Sequence, residues 1–180
     1  SYATNLQLDE TKIIEIILKH AEYEYYTRNF GKSIIEYIKT INHYEPSNVI
    51  KKFLDKSKLF YLIKYLEALV NNMDFKTNDL EEHKNYTILL LNCYILEEQY
   101  EKLKEFIDIK GQYFSRDILR TVINVCLEAE NIDAAIFIAK QSQLIEDYLM
   151  ILITKLKKYE EAMNILEKTE DNDIMITKQD

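Results

Sequence analysis

Ile132-Asp133-Ala134-Ala135-Ile136-Phe137-Ile138-Ala139 is the stretch that decides the fold. It opens on an apolar residue, passes two arbitrary ones, places a small residue at Ala135, and then turns apolar. The same grammar recurs in Phe30-Gly31-Lys32-Ser33-Ile34-Ile35-Glu36-Tyr37 and in Tyr159-Glu160-Glu161-Ala162-Met163-Asn164-Ile165-Leu166. Looser copies start at Leu59 and Tyr100, with Leu62 and Leu103 in the place of the small residue. The start points 30, 59, 100, 132 and 159 are separated by 29, 41, 32 and 27 residues. Removing about ten residues of a polar insertion brings the outlier into line, and a period near thirty with two helices per period marks an α-solenoid. The small residue lets the second helix of each hairpin approach the first; a bulky one would push the axes toward or past the usual ~8–10 Å.

Around these copies apolar residues recur at helical spacing almost throughout. Ile13, Ile14, Ile17, Leu18, Ala21 and Tyr25 form one stripe, opened by Asp9 as N-cap. Phe30, Ser33, Ile34, Tyr37, Ile38 and Ile41 form the next, which ends before Glu45-Pro46-Ser47. Two shorter helices are expected over 47–55 and 57–70, each opened by a serine. Residues 71–84 are polar and aperiodic and read as an exposed insertion loop. Helices then follow over 86–96, 100–109, 115–129, 132–140, 144–155 and 159–168. Residues 169–180 read as a polar tail, frayed or the start of a further element. The expectation is an all-α chain, with 1–168 forming an α-solenoid of about five stacked antiparallel helical hairpins. The apolar run Ile88–Leu91 and Cys93–Leu96 leaves little polar face, as suits a helix covered by neighbours on three sides. The competing arrangement is a compact bundle with that helix at its centre.

Composition closes other routes. In 180 residues there are 2 glycines and 1 proline, too few for the turns of a β-sandwich or barrel. Gly31 and Gly111 stand alone, so no glycine-rich phosphate cradle exists. The formal charge is −8 and the pI about 5.0, and Arg28, Arg116 and Arg120 are the only arginines. That balance argues against nucleic-acid binding and against a basic patch on an anionic membrane. The longest nearly unbroken apolar run, over 87–96, is half a membrane span, so no direct membrane insertion is expected. No charged leader precedes an apolar stretch, so no signal peptide is expected. Cys93 and Cys126 suit the core of a reduced, cytoplasmic protein better than a disulfide framework.

No chemistry converges in the sequence. His20, His43 and His83 are far apart and lack ligand spacing, and neither cysteine belongs to a Cys-x-x-Cys pair. Glu81-Glu82, Glu97-Glu98 and Glu160-Glu161 are adjacent pairs that point about 100° apart on a helix, so none makes a general acid–base couple. Lys155, Lys157 and Lys158 read as helix-end electrostatics. No Gly-x-Ser-x-Gly elbow is present. The expectation is therefore no catalytic residue, no cofactor-binding residue, no metal ligand and no enzyme activity. The 14 tyrosines lie mostly on or beside apolar stripes and read as core-rim residues.

Tyr37-Ile38-Lys39-Thr40-Ile41 and Glu45-Pro46-Ser47-Asn48-Val49-Ile50-Lys51-Lys52-Phe53-Leu54-Asp55 resemble the clathrin-heavy-chain-type repeat region of the vacuolar protein sorting-associated protein 11 family. Thr87-Ile88-Leu89-Leu90-Leu91-Asn92-Cys93-Tyr94 and Leu103-Lys104-Glu105-Phe106-Ile107 carry the same likeness, which extends more weakly over 134–139, 148–149 and 159–166. The insertion over 71–84 departs from the family pattern. The resemblance implies a scaffold segment of the HOPS and CORVET membrane-tethering complexes, peripheral on endosomal and vacuolar membranes, whose partners are the other subunits. It implies an excised piece of solenoid without the family's propeller or RING, and offers no catalytic residue to carry over. Apolar faces at the terminal hairpins would then promote self-association. The alternative is a tetratricopeptide-like adaptor holding a linear peptide in its groove, although no repeat meets that consensus.

Overall fold

The computed structural model describes residues 9–73 and 81–176, and for 81–82 and 170–176 the backbone alone. Among the described residues there are ten α-helices and no strand. They are α1 (Glu10–Tyr26), α2 (Phe30–Ile38), α3 (Pro46–Phe53), α4 (Leu59–Asn71), α5 (Glu81–Leu96), α6 (Tyr100–Lys110), α7 (Arg116–Glu128), α8 (Ile132–Gln141), α9 (Ile145–Ile151) and α10 (Tyr159–Ile176). A 3₁₀ turn over Gly111–Tyr113 follows α6, and a π-helical turn over Leu152–Leu156 follows α9. The repeat starts read from the sequence at 30, 59, 100, 132 and 159 are the first residues of α2, α4, α6, α8 and α10.

The chain forms two compact units, 1–97 and 98–180. In the first, α1 packs on α2, α2 on α4, α3 on α4 and α4 on α5, so each helix meets its successor or the one beyond. Ala21, Ile34, Tyr37, Val49, Phe53 and Leu66 are fully enclosed along this series. In the second unit α6 packs on α8, α7 on α8, α8 on α9, and α10 on the π-helical turn. Its interior holds Leu103, Ile107, Val122, Cys126, Ala135 and Ile138. Within each unit, packing of each helix on its near neighbours in the chain is how a helical repeat buries one stripe per helix. The fold is the expected all-α arrangement of helical hairpins.

The small residues of the three tighter copies are all buried. Ser33 is fully buried, and its hydroxyl donates to the Ala21 carbonyl of α1 at 2.8 Å, so a polar atom is satisfied where the two helices meet. Ala135 and Ala162 are also buried, whereas the looser copies enclose Leu62 and Leu103 there.

Tight turns do not depend on glycine. Arg28, Glu98, Glu130, Gln143 and Lys157 all adopt positive φ between 53° and 64°, each two residues before the next helix. After α1, the Arg28 N–H donates to Tyr25 O and the Asn29 N–H to Glu24 O. Glu130 and Asn131 repeat this on Leu127 and Cys126, as do Gln143 and Leu144 on Lys140 and Ala139. This is the Schellman closure, in which a left-handed residue satisfies the last carbonyls of the helix. The following residue doubles as N-cap of the next helix; Asn131 accepts from the Ala134 N–H at 2.8 Å.

Several boundaries differ from the sequence reading. α3 is opened by Glu45 with Pro46 in its first turn, not by Ser47, because proline's missing N–H is harmless there. Lys58 precedes α4, and Ser57 instead donates both its N–H (2.8 Å) and its hydroxyl (2.5 Å) to Asp55, closing the preceding turn. α2 stops at Ile38, with Thr40 and Ile41 buried in the turn beyond it. The segment over 144–155 divides into α9 and the π-helical turn, ended by left-handed Lys157. Of the expected loop over 71–84, Asn71 ends α4 and 81–84 already belong to α5, while 74–80 lie outside the described residues. α10 runs on to Ile176 through most of the expected tail, since no glycine or proline interrupts it. Residues 177–180 lie outside the described residues.

Candidate interaction surfaces

His20 sits on the half-exposed flank of α1, with Nε2 3.3 Å from Glu24 and Nδ1 3.7 Å from Glu36 of α2. Lys39 closes the group on Glu36 at 2.7 Å. Glu24 is nearly enclosed, and its Oε2 has no hydrogen-bond partner. The sequence reading missed this cluster. The i, i+4 spacing of His20 and Glu24 was visible, but Glu36 joins only through the hairpin. His43 lies in the turn after α2 and approaches Glu10 at 3.6 Å; His83 lies in α5. No three His, Cys, Asp or Glu side chains gather as a metal site among the described residues.

Both cysteines are buried and unpaired by disulfide. Burial raises the Cys93 thiol to about 11 and the Cys126 thiol to about 12, so both stay protonated and are poor nucleophiles. Lys158 pairs with Glu161 at 3.6 Å at the start of α10. In the same unit Arg120 of α7 bridges to Asp147 of α9 at 3.1 Å, and Gln141 of α8 donates to Asp108 of α6. These are ties between helices of neighbouring hairpins.

The tyrosines divide. Tyr37, Tyr65 and Tyr94 are buried, with burial raising the first two phenols, while Tyr23, Tyr26 and Tyr159 project into solvent. Tyr65 lies near a cleft of about 460 Å³ in the first unit, walled by Asn42, His43, Glu45, Asn72, His83 and Tyr86 among others. A peptide groove of lysine and asparagine would have favoured the adaptor alternative. Among the described residues, this cleft is lined by the asparagines and by no lysine.

A second surface in the first unit is built quite differently. Rings run in sequence from Tyr26 to Tyr25 (5.8 Å), Phe30 (5.4 Å), Tyr61 (6.0 Å) and Phe60 (5.7 Å). They carry the end of α1 onto the beginnings of α2 and α4. Lys52 lies 5.2 Å over Tyr25 and 5.5 Å over Tyr26; Lys58 lies 5.6 Å over Tyr25 and 5.5 Å over Phe30. Lys64 sits 4.7 Å over Phe60. The Tyr25 hydroxyl donates to the Lys52 carbonyl at 2.9 Å and fixes α1 against α3. The sequence held the lysines and aromatics separately; only the side-by-side hairpins bring them together.

Helical hairpins, with polar ties between neighbouring helices, define the class: a helical-repeat protein. The PEP5/VPS11 clathrin-repeat family model matches residues 25–179. The chain is 33% identical over 172 residues to the vacuolar protein-sorting-associated protein 11 homolog of Arabidopsis thaliana, covering 94% of this chain and 18% of that protein. It is 31% identical over 166 residues to the Homo sapiens homolog, covering 92% of this chain and 17% of that one. A RING finger protein of Plasmodium falciparum is 29% identical over 157 residues, covering 87% of this chain and 12% of that protein. No solved structure matches significantly. The chain therefore belongs to the PEP5/VPS11 clathrin-repeat family, and spans less than a fifth of the length of these relatives.

Proposed function

We propose that this chain is a non-catalytic scaffold segment of a membrane-tethering complex acting in endosomal and vacuolar protein sorting and membrane fusion. It works by holding other subunits through its surfaces and resides peripherally on those membranes through the complex. The family match over 25–179 carries this reading, because it falls on a chain of serial hairpins whose ordered groups tie helices to one another. Among the described residues no helix is long and apolar enough to cross a membrane, which accords with attachment through partners.

The test is affinity purification of the full-length protein from cell membranes, with the bound proteins identified by mass spectrometry. Subunits of the tethering complex are expected in stoichiometric amount. Ala135→Asp, which buries a carboxylate at an enclosed position of α8, is expected to deplete them. Recovery of the protein without any such subunit would overturn the reading.

A further inference from the structure

We propose that the lysine-capped aromatic face of the first unit docks an acidic amphipathic segment of a partner protein, one that carries carboxylates beside Leu- or Phe-type side chains. The inference builds on the scaffold reading, since it names the chemistry of one partner.

Charge is the first argument. The chain as a whole carries −8, yet this face concentrates cations. Lys52, Lys58 and Lys64 stand over the rings, and Arg28, Lys51 and Lys56 are exposed on the adjoining helix ends and turns. The carboxylates among them are few. Glu22 pairs with Lys52 at 3.9 Å, and Asp55 accepts from both the N–H and the hydroxyl of Ser57, bonds that hold its carboxyl below the usual range and keep it charged, so these two subtract from a face on which the cations outnumber them. α2 and α4 both begin here without a side-chain cap, so the positive ends of two helices add to the field.

Apolar exposure is the second argument. Tyr26 is 74% exposed, Leu54 56% and Phe60 50%, beside cations whose stems already lie along the rings. An ammonium held over a ring is positioned before a carboxylate arrives, so less side-chain freedom is lost on pairing. A partner offering carboxylates alone would leave Tyr26 and Leu54 in water, and one offering apolar groups alone would desolvate the lysines. An acidic amphipathic segment satisfies both.

Size selects a protein segment over an anionic bilayer. A bilayer is an extended sheet that meets much of an acidic molecule at once, whereas a short segment senses charges within about 8–10 Å, where the field is positive. Driving the ring-capping ammoniums toward hydrocarbon is also costly.

The experiment is fluorescence anisotropy of a labelled synthetic peptide of repeated Glu-Glu-Leu-Phe, titrated with the 180-residue chain. Saturable binding that weakens as salt rises is expected, and a Lys-Lys-Leu-Phe counterpart is expected not to bind. The double variant K51E/K56E alters two exposed side chains and is expected to leave the helical circular dichroism unchanged. It is expected to lose affinity about tenfold for the acidic peptide. Tyr26→Ser is expected to weaken binding separately while keeping the salt dependence. Equal binding of both peptides, or K51E/K56E binding like the native chain, would overturn the proposal. So would flotation with phosphatidylserine–phosphatidylcholine vesicles that is lost in K51E/K56E while the peptide fails to bind. If no peptide binds but the full-length protein still recovers tethering subunits, this docking surface falls and the scaffold reading stands.

Discussion

Two kinds of residue govern how these helices meet and turn. The first is the small residue in the second helix of a hairpin. Removing the Ser33 hydroxyl in Ser33→Ala deletes the 2.8 Å bond to Ala21 O and is expected to lower stability by about 1 kcal/mol. Ala135→Leu overfills a fully enclosed site and is expected to lower it by about 1–3 kcal/mol, with urea unfolding as the measurement for both. The second kind is the left-handed turn residue. Glu130 sits exposed at φ 59°, a region that disfavours any side chain. Glu130→Gly is expected to raise the unfolding midpoint, by about 0.5–1 kcal/mol in stability, since the strain relieved exceeds the freedom glycine adds to the unfolded chain. The small residues were legible as a repeated letter. The left-handed positions were not, because Arg, Glu, Gln and Lys fill them and carry no turn signature.

At the scale of the element, two helices carry a buried thiol each, Cys93 on α5 and Cys126 on α7. Both are held above the ordinary value of 9.0, at about 11 and about 12. Above pH 9 the unfolded chain gives up these protons while the folded chain keeps them. Their contribution to stability is therefore complete below pH 9 and is lost as pH rises toward 11–12. Urea midpoints between pH 8 and pH 10.5 are expected to fall more steeply for the native chain than for Cys93→Ala/Cys126→Ala. At pH 8 a colourless-to-yellow thiol reagent is expected to react only after unfolding. Helix existence was readable from periodicity at this scale, and the five repeat copies start on the first residues of α2, α4, α6, α8 and α10. Helix edges were less so. Ser47 and Ser57 look like caps, but proline's geometry and the pull of Asp55 moved the starts to Pro46 and Leu59.

Across the whole molecule, apolar side chains remain uncovered on α1 at Ile13 and Ile16, and on α9 and α10 at Met150, Tyr159 and Met163. We propose that these faces drive self-association of the chain in isolation. Sedimentation velocity is expected to show a sedimentation coefficient that rises with concentration, and Met150→Lys/Met163→Glu is expected to suppress the rise. A coefficient independent of concentration in the native chain would end this proposal.

The sequence by itself determined the helical class, the hairpin period and the buried small positions, because each is set by neighbours three, four or about thirty residues away in a one-dimensional pattern. The PEP5/VPS11 likeness lay in the same linear strings. Tertiary structure alone decided the surfaces. His20 met Glu36, Lys52 and Lys58 came to rest over Tyr25, and Phe30 met Tyr61 because separate helices were laid side by side. Such groupings depend on how each helix is rotated toward the next, and a repeat of apolar letters fixes the buried face without stating which polar residues will meet outside it.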